Sequence, residues 1–338
     1  MALIDTTLAH GVMTLTLRDE ERRNALSRQL LSEFVDAIDF AENDSDVRVV
    51  VLTNEGRVFC AGANLAERSS SRSPTELRTI ELSELFQRIR YSPLPFVGRI
   101  NGHCVAGGVG LSAVMDISVA VDTALFGFTE VRIGVAPSMI SVVCLPKMRL
   151  ADANAAFLRG NRFPATEAAR MGLINQVATS ETIDVEIAAI VNDLLAGEPH
   201  AIAAAKRLTV TVPSLTIDEA FAWTTELSAS LFASDQAREG ISAFLEKRPA
   251  AWVQRLPGVV SYTHLDVYKR QALEQRANRG HLQCAPRRLV QRQRAGTRSR
   301  APLGLSLIHI FGVNQRSRGL TNVCPSDPRT SNEPGRYR

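Results

Sequence analysis

The sequence is poor in cysteine: Cys60, Cys104, Cys144, Cys284 and Cys324 are the five in 338 residues. The count is odd and the spacings suit no metal site. This argues against a disulfide-framed secreted domain and for reduced thiols in a cytoplasm. No run of about 18 apolar residues occurs, so no membrane span is expected. The N-terminus, Met1-Ala2-Leu3-Ile4-Asp5, has neither the basic region nor the apolar stretch of a secretion signal. The common phosphate fingerprints are also missing. No Lys-Ser/Thr follows the glycines at 107 and 108, and no G-x-G-x-x-G opens a helix. What remains is a globular composition, 45% apolar and 22% charged, in a length that suits one large domain or two ordinary ones.

The net charge of +4 hides an asymmetry. Residues 256–338 hold fifteen Lys/Arg against four Asp/Glu, which leaves residues 1–255 acidic. Charge therefore gives no support for nucleic-acid binding by the body of the chain.

Two stretches carry chemical information. In the first, Val97 to Ser112, an apolar strand passes through Gly107-Gly108 into a small-residue helical pattern. Glycines lacking Cβ let backbone N–H groups lie against a ligand, and the following helix aims its free donors and positive end at the same spot. Such a junction suits a negative oxygen, whether a phosphate or an oxyanion. By itself it is more often a packing device. The second stretch, Arg57 to Leu65, follows the apolar strand Val47–Thr53 and repeats the pattern of strand, glycine turn and polar helix start. Two donors from two such turns could converge on one carbonyl oxygen.

The rest of the chain reads as layered α/β. Gly11–Leu17 alternates like a half-buried strand, and Ser27 is placed to cap a helix carrying Leu30, Leu31, Phe34, Ile38 and Phe40. A Ser/Arg-rich loop over Ala66–Pro74 precedes a helix over Thr75–Tyr91. Strands are expected at Asp116–Val121 and Ile174–Val177, and a turn at Gly160–Pro164. Helices are expected at 151–158, 165–171, 181–206 with a break near Gly197-Glu198-Pro199, and as one long element over Ile217–Lys247. Core packing is the default explanation for Phe221, Leu227, Leu231, Phe232, Ile241 and Phe244.

Together, Arg23-Asn24-Ala25-Leu26, Ala61-Gly62-Ala63-Asn64, Asn101-Gly102…Gly107-Gly108, Phe126 to Val131 and Phe244 to Arg248 resemble the crotonase (enoyl-CoA hydratase/isomerase) superfamily over roughly residues 3 to 254. The resemblance implies a spiral of repeated β-β-α units over 1–200 with an acyl-CoA site. A helical region over 201–255 would follow and pack a homotrimer or hexamer. It implies that the backbone N–H groups of Ala63 and Gly107 polarise a thioester, with Glu130 as acid/base. Arg22, Arg23, Ala25, Ala61 and Lys247 would meet coenzyme A, Lys247 from its own or a neighbouring subunit. No metal or redox cofactor is implied, since coenzyme A enters as part of the substrate.

One position departs from the hydratase pattern: the second acid/base glutamate of that group would fall at Gly110. This weakens the hydratase reading and strengthens a Δ3,Δ2-enoyl-CoA isomerase, which needs one carboxylate. No nearby residue is an evident replacement; Ser112 and Ser138 are near, with nothing in the sequence to support either. A silent acyl-CoA-binding subunit is the alternative of another class. The plainer readings are also stated. Glu130 could pair with Arg132, Asp116 could tie a strand start, His103 could be a packing histidine, and Asn64 could hold its turn. Arg22, Arg23 and Lys247 could be solvated charge. The tail from 256 reads as disordered, as a basic arm, or, best, as sequence foreign to the natural protein. Ser261 to Gln271 and Leu305 to Phe311 look like translated adaptor read-through.

Overall fold

The computed structural model describes residues 2–69 and 80–257. The basic tail beyond 257 and most of the Ser/Arg-rich loop lie outside the described residues. The chain opens with an antiparallel hairpin, β1 (Ile4–Ala9) and β2 (Val12–Leu17). His10 and Gly11 both take positive φ in its two-residue turn, the backbone that matches the strands' own twist. The sequence pattern does not mark β1, because all but its first residue are exposed and no alternation is left to read. Helix α1 (Arg28–Asn43) starts where expected, with Ser27 Oγ accepting the Leu30 N–H at 3.2 Å.

A repeat follows in which strands go alternately to two sheets. β3 (Val49–Asn54), β5 (Phe96–Ile100) and β7 (Ile117–Val121) join the larger sheet, of order β1-β2-β3-β5-β7-β10. β4 (Val58–Cys60), β6 (His103–Val105) and β8 (Leu125–Gly127) join the smaller one, of order β4-β6-β8-β9. Helices α2 (Leu65–Ser69), α3 (Leu82–Tyr91) and α4 (Gly107–Val114) lie between successive pairs, as parallel neighbours require. Each β-β-α unit thus steps one place along both sheets. β3, β5 and β7 are almost wholly buried, which explains their continuous apolar runs.

After β8 come a 3-10 turn at Glu130–Ile133, α5 (Ser138–Cys144), α6 (Leu150–Arg159), β9 (Arg162–Pro164), α7 (Ala165–Met171), β10 (Gln176–Ala178) and α8 (Ile183–Ala196). α9 (Pro199–Thr211), α10 (Ile217–Phe232) and α11 (Asp235–Glu246) complete the described chain.

Four expectations need correcting. The helix before Pro93 begins at Leu82, after an extended Glu81, and the part of the expected helix over residues 75–79 lies outside the described residues. The Gly160–Pro164 turn contains strand β9, which pairs antiparallel with β8. The long helix over Ile217–Lys247 is two, because Ser234 takes extended backbone and caps α11 by accepting the Ala237 N–H at 3.1 Å. The large apolar residues expected to pack there are also not buried in this chain. Phe221, Phe232 and Phe244 are 70%, 71% and 82% exposed.

Candidate active site

β4, β6 and β8 lie side by side and parallel. Whatever follows them in sequence therefore collects at one edge, the carboxyl end, where open α/β sheets bind ligands. Ala63 comes three residues after β4, Gly107 two after β6 and Glu130 three after β8. Ala106, just before Gly107, donates its N–H to the Gly127 carbonyl at 2.9 Å and so fastens the second turn to the strand leading to Glu130.

The two donor turns touch. A Cβ added to Gly62 would come within 2.8 Å of the Gly107 nitrogen; one added to Gly107 would lie 3.6 Å from the Ala63 nitrogen. Gly62 has φ +85°, a conformation that favours glycine. Ala63 forms a parallel bridge to Leu26 in which Leu26 donates to Gly62 and Asn64 donates to Leu26. That pattern turns the Ala63 N–H to the opposite side. Gly107 is the first residue of α4, so its N–H lies outside the helix ladder. Among the described residues neither N–H has a protein acceptor. Ala106 holds φ +51° and ψ −121°, an uncommon backbone for a residue with a side chain and a form of strain that collects at functional sites.

Glu130 opens the 3-10 turn. Its Oε2 is buried without a hydrogen-bond partner, and burial raises its pKa above the ordinary glutamate value. The ion pair with Arg132 does not form. Arg132 instead donates to the carbonyls of Gly160 at 2.6 Å and Arg159 at 3.3 Å. A buried carboxylate oxygen left unsatisfied is costly.

Gly110 sits one turn along α4 from Gly107. A Cβ there would meet Ile140 Cγ2 at 2.5 Å and Phe86 Cζ at 2.8 Å. The space of a second carboxylate is filled by hydrocarbon from α5 and α3. Neither serine substitutes for it: buried Ser112 donates its hydroxyl to the Val109 carbonyl at 2.7 Å, and Ser138 donates its own to the Ala136 carbonyl at 3.2 Å.

Arg22, Arg23, Ala25 and Ala61 are brought to the first donor turn. Ala61 donates to the Arg23 carbonyl at 3.1 Å and Ala25 to that of Arg22 at 3.2 Å. Fully buried Asn24 pins the segment by donating to the carbonyls of Val58 and Glu55. Arg22 lies 3.5 Å from the Asp19 carboxylate. Lys247 stands apart, exposed at the left-handed C-cap of α11.

The remaining polar residues are structural. His103 Nδ1 accepts the Leu125 N–H at 3.1 Å; burial, Arg162 and Arg57 hold its pKa below the ordinary range. Asn64 Oδ1 accepts the N–H groups of Ala66 and Glu67. Asp116 accepts the Phe96 N–H at 2.8 Å and pairs at 2.8 Å with Lys206, whose ammonium also donates to the carbonyls of Ile89 and Leu94. Among the described residues no three His, Cys, Asp or Glu side chains are grouped to hold a metal ion, and no helix is long and apolar enough to cross a membrane. Ala106, Ile140 and Phe86 were not marked by the sequence. Their roles depend on backbone angles and cross-helix contacts that leave no spacing pattern.

Repeated β-β-α units whose strand pairs are shared between two sheets are the architecture of the crotonase fold. The chain belongs to the enoyl-CoA hydratase/isomerase family, whose model matches residues 7–255. It is 34% identical over 242 residues to a Thermus thermophilus protein that carries an enoyl-CoA hydratase name, covering 70% of this chain and 96% of the relative. It is 29% identical over 238 residues to the 2,3-dehydroadipyl-CoA hydratase of Escherichia coli, covering 70% and 93%. A crystal structure of an enoyl-CoA hydratase from Mycobacterium smegmatis matches with a TM-score of 0.69 at 30% identity, covering 74% of this chain and 98% of that one.

Proposed function

We propose that this protein hydrates enoyl-CoA thioesters, with Ala63 and Gly107 as oxyanion donors and Glu130 as the single acid/base. The observation that carries the reading is the unpartnered Oε2 of Glu130, at the same strand end as two N–H groups that no protein atom accepts. As the oxygen of water bonds to C3 of the conjugated thioester, Glu130 takes the water proton. The pair of electrons displaced from the double bond moves toward the thioester oxygen, where two fixed donors favour the negative charge over the neutral carbonyl. Glu130 then returns the proton to C2. Its raised pKa suits a group that must both take and give a proton. None of these steps calls on a metal or a redox group. Coenzyme A arrives as part of the substrate, against Arg22, Arg23, Ala25 and Ala61, with Lys247 reaching it from α11 of this or a neighbouring subunit. The assembly is a homotrimer or hexamer built through α10 and α11, and the protein works in the cytoplasm.

A second reading, Δ3,Δ2-enoyl-CoA isomerisation, is favoured by the hydrocarbon at Gly110, since one carboxylate can carry a proton from C2 to C4. Crotonyl-CoA and a 3-enoyl-CoA, each with parent and Glu130→Gln enzyme, separate the readings. Loss of the conjugated absorbance of crotonyl-CoA that depends on Glu130 is the expected result. Turnover of the 3-enoyl substrate alone would replace hydration by isomerisation. Tight acyl-CoA binding with no turnover of either would leave a silent binder.

A further inference from the structure

Cys60 is the last residue of β4, and both donor turns rest on it. Its Sγ accepts the Gly62 N–H at 3.4 Å, fixing the residue before Ala63. From the other side, a Cβ on Gly108 would fall 2.9 Å from Cys60 Cβ and 2.1 Å from its carbonyl oxygen. The first turn of α4 is therefore seated directly on Cys60. Across the sheet its register partner is Cys104, two residues before Ala106. Cys60 is fully buried. Burial pushes its thiol up to about 12, so it stands as a neutral thiol, a weak acceptor and a small apolar body, and not as a nucleophile.

We propose that Cys60 is a positioning residue that sets the spacing between the Ala63 and Gly107 N–H groups. Cys60 reaches the first turn through its sulfur and the second through its backbone and Cβ. Interiors do not deform continuously, so a change of volume or of acceptor at this point moves one donor relative to the other. The donors act on charge that develops in the transition state, and small misplacement there weakens turnover more than binding. The inference rests on the oxyanion reading of Ala63 and Gly107 given above.

The test is steady-state kinetics and thermal unfolding of the full chain with Cys60→Ala, Cys60→Ser and Gly107→Ala. Glu130→Gln and the parent are the references. Cys60→Ala removes the acceptor and leaves a gap; it should lower kcat about tenfold with KM within about twofold. Cys60→Ser keeps an acceptor on nearly the same volume and should recover most of that loss, even if its unfolding temperature falls as far as that of Cys60→Ala. Equal kcat for Cys60→Ala and Cys60→Ser, or a loss confined to unfolding temperature or to KM, would overturn the role given to Cys60. If Gly107→Ala and Glu130→Gln both turn over like the parent, the oxyanion reading itself fails and takes this inference with it. Loss in those two with no loss in Cys60→Ala would sink the role of Cys60 alone.

Discussion

Glu130 is held against its own stability. Unfolded, its carboxyl titrates in the ordinary glutamate range; folded, burial raises its pKa. Between those two values the folded chain holds more protons than the unfolded one. Its contribution to stability therefore falls as pH rises through that window, and the full cost is present above the raised pKa. Glu130→Gln should abolish turnover while melting at or above the parent temperature near pH 7. The difference should disappear below about pH 3, where both states are protonated. The acid limb of the parent's activity should lie above the ordinary glutamate range, because the base must be ionised to act. A melting curve in which Glu130→Gln is less stable than the parent at neutral pH would mean that this carboxylate supports the fold. At Gly107 the added Cβ meets Leu26 Cδ1 at 3.1 Å and Gly62 Cα at 3.2 Å. Gly107→Ala must therefore push the first turn by a few tenths of an ångström. Its cost should appear as at least about a tenfold loss in kcat with the fold intact by circular dichroism.

At the scale of elements, what matters is which ends are fastened. The strand bearing Arg99 and the helices α3 and α9 meet at the Asp116–Lys206 pair, where one ammonium bonds two carbonyls and a carboxylate and lies 5.1 Å from the Phe96 ring centroid. Lys206 is among the few buried charged residues. Lys206→Met keeps much of the volume but strands Asp116 and two carbonyls, at a cost of about 3 kcal/mol. Urea unfolding should show it as a lower midpoint at unchanged slope, and a shift near zero would mean that water takes over the bonds. Around the site, α4 is buried on all sides. Its small residues let α3 and α5 close over Gly110, so the space beside Gly110 is set by helix packing and not by any sequence motif.

At the scale of the whole molecule, α10 and α11 leave Phe221, Phe232 and Phe244 in solvent. Large apolar residues on elements that bury little in their own chain are what a surface for another molecule requires. The occupant proposed above is a second and third copy of this chain. Sedimentation of the protein should give a trimer or hexamer, and Phe221→Asp with Phe244→Asp should shift it toward monomer. A parent that sediments as a monomer at tens of micromolar would refute the assembly.

The sequence by itself determined the layered α/β class, the family and the two glycine turns. These rest on local periodicity, turn chemistry and an ordered set of motifs, all of which survive in one dimension. It also assigned Asn64 to its turn and His103 and Asp116 to structure, as their hydrogen bonds bear out. It left Glu130 open between a pair with Arg132 and a free carboxylate, and only the tertiary structure removed the pair, by drawing Arg132 to the carbonyls of Gly160 and Arg159. Likewise the missing side chain at Gly110 was legible, but not that Ile140 and Phe86 fill its place. The role of Cys60 is of the same kind. A sequence shows a buried thiol only as one more small residue; that two turns from different units of the spiral rest on it follows from how parallel strands are brought side by side.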